Sequence, residues 1–166
     1  NWPIPPESFL REQLPEEVPW CVLARPDGAA RVLRLIRELR PASRVIFDTV
    51  DIAFERWQSH LARADLSPSE RTDFELLHRR YRGLETYVAS LADRVWVVTG
   101  EERDTLARLG ICPPEKVAVV PVVYPLMPTP APWSERRDLL FIGSFAHRPN
   151  IEALEYAVAE ILPRLA

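Results

Sequence analysis

This chain has little with which to cross-link itself or hold a metal. It has two cysteines in 166 residues, Cys21 in an apolar run and Cys112 beside two prolines, and they make no Cys-x-x-Cys spacing. That excludes a disulfide framework and a zinc site and leaves two reduced thiols, the pattern of a cytosolic protein. Of three histidines, His60 and His78 fall in helical segments without a paired ligand, and His147 stands in a loop. Glycine is also scarce, with five residues, and no Gly-x-Gly-x-x-Gly follows any strand-like run. A nicotinamide-dependent oxidoreductase is excluded on that ground, and no cofactor is expected. No apolar run approaches the roughly 18 residues of a membrane span, and no signal peptide is visible, although the first residue is Asn1 and not Met. A net charge of -3 gives no basic field, so nucleic acid is not an expected partner.

What is present reads as a folded α/β protein. Hydrophobic residues make up 47% and charged residues 27%, the balance of a globular chain and not of a disordered tail. Proline is the excess, with 17 residues, ten of them in two clusters, Pro3 to Pro19 and Pro121 to Pro132. The second cluster has no apolar periodicity and reads as a semi-rigid linker. It divides the chain into 1–120, a linker 121–137, and 138–166.

In chain order, Trp20, Cys21, Val22 and Leu23 form a short apolar run that predicts a buried strand, stopped by Pro26-Asp27-Gly28. Val32, Leu35, Ile36 and Leu39 follow at helical spacing up to Pro41, and Arg44 to Val50 predicts a second strand, completing a βαβ unit. That strand runs into Asp48-Thr49-Val50-Asp51. Two carboxylates at a strand's carboxyl end either bind a ligand or cap the next helix; capping is the expectation for Asp48, and Asp51 falls at the mouth of a cleft. Ser67-Pro68-Ser69-Glu70 has the form of a capping box with proline in the first turn. Phe74, Leu77, Tyr81, Leu84, Val88 and Leu91 then mark one face of a long helix, and Arg71, Arg79, Arg80, Arg82 and Glu85 fall on the other. That second face is expected to be solvated, and its arginines make it a candidate for peripheral contact with an anionic membrane surface.

Arg94 to Val98 predicts a third strand, Thr99-Gly100-Glu101-Glu102 a second capping box, Gly110 a helix end, and Val117 to Val120 a fourth strand. Beyond the linker, Leu139 to Ile142 is expected to be a strand. It is followed by the small-residue turn Gly143-Ser144 and a helix opening at Pro149-Asn150 with the stripe Ile151, Leu154, Val158 and Ile161. A strand, small-residue loop and helix start is where ligands sit in parallel α/β proteins, because unpaired N–H groups and the positive end of the helix face the cleft. The fold expected is therefore α/β, a Rossmann-like parallel sheet flanked by helices.

Four segments in this order resemble the family 4 (group 1) glycosyltransferases of the GT-B fold. They are Asp48-Thr49-Val50-Asp51; Ala92-Asp93-Arg94-Val95-Trp96-Val97-Val98-Thr99-Gly100-Glu101-Glu102; Val117-Ala118-Val119-Val120-Pro121; and Leu139 through Asn150. The resemblance covers the chain from about Val18 onward. It implies the later part of an amino-terminal, acceptor-side Rossmann-like domain, the linker, and the first strand and helix of a carboxyl-terminal donor-binding domain. The implied activity is retaining transfer of a sugar from a nucleotide-sugar donor to a glycan or lipid-linked acceptor. The implied location is the cytoplasm or the inner face of the membrane. Gly143, Ser144 and His147 would line the donor side, Asp51 the acceptor-side cleft, and Asn150 would cap the helix.

The departures from the family pattern are also specific. Ala53 stands where the family often has a substrate-contacting His, and Val122-Val123 follows Pro121 in place of Asn-Gly. Glu152 and Glu160 spell Glu-x7-Glu, but eight residues along a helix leave them roughly 80° off a common face, so they are not taken as the family's acidic motif. The family's donor-phosphate residues are not matched, no catalytic residue is identified, and this chain alone is expected to be inactive. The alternative reading is a non-catalytic α/β binding or assembly module in which Leu139 to Ile142 joins a single sheet.

Overall fold

The computed structural model describes residues 5–125, 127–128 and 132–165. By its internal contacts the chain divides into two units, between Val123 and Tyr124. The first is α/β. Helix α1 (Pro6–Glu12) is followed by β1 (Trp20–Ala24), α2 (Pro26–Leu39), β2 (Arg44–Asp48), α3 (Ala53–Leu61), α4 (Pro68–Leu91), β3 (Arg94–Val97), α5 (Gly100–Arg108) and β4 (Val117–Val119). All four strands are parallel and lie in the order β1-β2-β3-β4. The Rossmann-like α/β class read from the sequence is the observed one.

Strands added in chain order, always in one direction, stack crossovers of one hand on one face of the sheet. Burial follows that rule. Val45, Phe47, Val95 and Val97 are sealed into a core with Leu33 and Ile36 of α2, Val88 and Ala89 of α4, and Leu106 of α5. On the alternate positions of β1, Trp20 and Val22 remain about half exposed. The Arg44 guanidinium lies over Trp20, 5.4 Å from the ring centroid.

Polar side chains hold the ends of these elements. Both capping boxes form, at Ser67 with Glu70 and at Thr99 with Glu102. Lys116 donates to the carbonyls of Ala89 and Ser90, and Arg37 to that of Leu91, closing the carboxyl end of α4. Asp93 accepts the Val45 N–H at 2.6 Å and an Arg37 N–H at 2.8 Å, tying the start of β3 to β2 and α2.

Several local expectations change. Pro26 does not stop β1 from outside but opens α2 as its first residue, which a proline tolerates because that position needs no N–H. Along α4 the buried line ends on Glu85, Val88, Ala89 and Ala92, while Leu91 is exposed. Glu75 lies between Arg71 and Arg79 on the arginine face of α4, and Arg80 is paired with Asp27. No helix among the described residues is long and apolar enough to cross a membrane.

In the second unit, α6 (Arg148–Tyr156) continues as a wider helical turn over Ala157–Ile161. The strand expected at Leu139–Ile142 does not form: among the described residues the segment has no ladder partner, and Leu139, Leu140 and Ile142 are more than two-thirds exposed. A lone strand leaves its N–H and C=O groups to water, so an apolar run by itself cannot hold one. Ile151, Val158 and Ile161, expected as a core stripe, are exposed.

Candidate functional site

The carboxyl ends of β1 and β2 carry the strained backbone of the first unit. Arg25, directly after β1, and Val50, two residues past β2, both have φ near 65°. For a β-branched residue such as Val50 that region is sterically costly, and such residues persist where the surroundings over-determine them. The surroundings here are specific. The Asp48 carboxylate accepts the Val50 N–H at 3.0 Å, and the Thr49 hydroxyl donates to the Trp96 carbonyl at 3.0 Å. The Arg25 N–H donates to the Asp48 carbonyl at 3.0 Å. Asp48 therefore caps a turn and not α3, whose N-cap is Ile52 with no side-chain bond.

That turn presents Asp51 at the edge of the sheet, about half exposed, with Arg56 Nη1 3.1 Å from its Oδ2. The cap that α3 lacks locally comes from α4. Glu85 Oε1 accepts the Ala53 N–H at 2.8 Å and Oε2 accepts the Phe54 N–H at 3.1 Å. Glu85 was expected on the solvated face of α4, yet it is 1% exposed. Burial pushes its carboxyl up to about 7 against the pull of the two N–H bonds, with the Asp51 charge raising it further and Arg56 opposing. Sequence reasoning missed this residue because it sits at the boundary of the α4 stripe. Its spacing of three residues from Val88 was the available signal.

In the second unit, Gly143, Ser144 and Asn150 converge. The Ser144 carbonyl accepts both the His147 N–H and the Asn150 side-chain N–H at 3.1 Å, and the Ser144 hydroxyl accepts the Ala146 N–H at 3.3 Å. A Cβ at Gly143 would lie 2.8 Å from Asn150 Nδ2 and 3.0 Å from Phe141 Cε1, so close approach explains the glycine. His147 is the N-cap of α6 by its backbone, with an exposed side chain that makes no cap bond. Asn150 is thus the third helical residue and not the cap; its amide reaches back to close the loop. Asp51 and the Gly143 loop belong to different units, and each is a local arrangement.

An apolar concavity of about 450 Å³ between α1, β1 and α2 is lined by Phe9, Val22 and Val32 among others and contains none of the candidate residues. Both cysteines are free, and burial raises each thiol. Comparison with family models, with characterised proteins and with solved structures finds no match to the chain.

Proposed function

We propose that the chain is part of a retaining glycosyltransferase that moves a sugar from a nucleotide-sugar donor to a glycan or lipid-linked acceptor in the cytoplasm or at the inner face of the membrane. The observation that carries this reading is the closed loop from Gly143 to Asn150 at the start of α6. A departing diphosphate gains negative charge, and a helix start with no acidic residue in its first turn presents the positive end of its dipole to receive it. Gly143 keeps that approach free of a side chain, while Ser144 and His147 flank it. Asp51 contributes on the acceptor side, from the carboxyl edge of a parallel sheet, the edge at which α/β proteins bind ligands. No residue is assigned to the transfer step itself.

Calorimetric titration of the chain with a panel of nucleoside diphosphates tests the donor role. Binding of at least one of them, weakened by Gly143→Ala, is the expected result; no binding across the panel removes the donor role of Gly143 and Ser144. Sugar transfer by this chain alone, at the rate of a full enzyme, would overturn its assignment as a part.

A non-catalytic binding or assembly module is the second reading. What favours it is that the Ser144 hydroxyl and the Asp51 carboxylate are both already engaged with neighbours of their own chain.

A further inference from the structure

The turn from β2 into α3 rests on a buried carboxylate with no cation of its own. Glu85 gives one oxygen each to the N–H groups of Ala53 and Phe54, the first two residues of α3. An ionised carboxyl has about four acceptor positions, so half of its demand is unmet at 1% exposure. Arg56 is the cation of this region, but it is paired with Asp51. Arg82, one turn earlier on α4, and Arg108 and Glu55 line a concavity with Phe54 and His78. Asp51 repels Glu85 from the loop, and His78, two turns earlier on α4, bonds through Nδ1 to the Phe54 carbonyl at 3.0 Å. Where α2 packs on α4, Asp27 is held by Arg80. A buried, unpaired charge is among the most expensive groups a fold can carry, and a proton or water must relieve it.

We propose that Glu85 is a positioning residue that acts as a proton-operated latch: protonated, it keeps the first turn of α3 closed, and ionised, it lets that turn open. The step is exchange of one proton with solvent water, with no heavy-atom bond made or broken. Its direction follows from linkage. The closed state binds the proton more tightly than an open state in which water reaches the carboxyl, so opening is suppressed in acid and grows as pH rises toward 7. The latch does not depend on sugar transfer.

Amide hydrogen exchange at Ala53 and Phe54, corrected for the intrinsic rate, tests it between about pH 5 and about pH 8. Protection at these two amides is expected to fall by more than tenfold across that range, since each unit of pKa difference is worth a factor of about ten. Phe47 in β2 should change far less. Glu85→Gln, neutral throughout, should abolish the pH dependence, and His78→Asn should leave it intact. Should Glu85→Gln fail to fold, the side-chain carboxyl carbon of Glu85 in the unaltered chain gives the same answer, with a titration midpoint near 7 expected. Protection that ignores pH, a dependence lost with His78→Asn but kept with Glu85→Gln, or a carboxyl midpoint at the ordinary glutamate value of 4.5 would each overturn the latch.

Discussion

At Gly143 a methyl group would meet the side chains of Asn150 and Phe141, both of which end in movable atoms. Gly143→Ala should therefore displace the Asn150 amide from the Ser144 carbonyl without unwinding α6. The expected observation is a changed Asn150 side-chain amide resonance with unchanged helical circular dichroism. At Asp51 the side chain is exposed and paired with an arginine that is equally exposed, so the pair contributes little to stability and is available to a ligand. The remaining polar residues of the segments that suggested a glycosyltransferase have structural work: Asp48 and Thr49 fix a turn, and Asp93 joins β3 to β2. A sequence likeness built on such residues speaks first of a fold and only then of chemistry.

Among the elements, α5 depends on its own amino end. Thr99 accepts the Glu102 N–H, and Glu102 accepts those of Val98 and Thr99, so three donors are satisfied at the carboxyl edge of β3. Thr99→Ala should cost about 1 kcal/mol in urea unfolding. Ser67→Ala removes the equivalent oxygen from α4 and should cost no more than that. The 24 residues of α4 pack against α2 and α3, with Val88 and Ala89 in the core, so tertiary contact holds that helix beyond its cap.

For the molecule as a whole, the one-sided sheet makes face the main variable. Phe47→Ala, on the helix-covered face, should cost about 3–5 kcal/mol of unfolding free energy. Val22→Thr, which keeps the β-branch at a half-exposed position of β1, should stay within about 0.5 kcal/mol. The pH dependence of stability has two arms of opposite sign. Glu85 is raised from 4.5 to about 7 in the fold, so its contribution is complete below 4.5 and is lost as pH rises to about 7. Asp93 is lowered from 3.8: its burial works upward, but the Val45 N–H and Arg37 outweigh it. Its contribution is present above 3.8 and is lost as pH falls through the depressed value. Thermal unfolding across pH should show a maximum on the acid side of neutrality, and Glu85→Gln should flatten only the alkaline arm.

The sequence by itself determined the parallel α/β pattern and both capping boxes. Each of these follows from local rules: apolar runs of strand length, stripes at helical spacing, and side chains that bond within one turn. It also located the turn at Asp48–Asp51 and the loop at Gly143–Ser144. Only the tertiary structure decided which polar groups are buried. Asp48 was free to cap a helix until Glu85, 32 residues from Ala53, reached the same amides. Leu139–Ile142 reads as a strand on composition, but a strand exists through its neighbour, and hydrophobicity cannot supply one. The one-sided core follows from strand order, which no window of sequence contains. Glu85 entered the candidate site because long-range packing took it from water, and local sequence gives no measure of that.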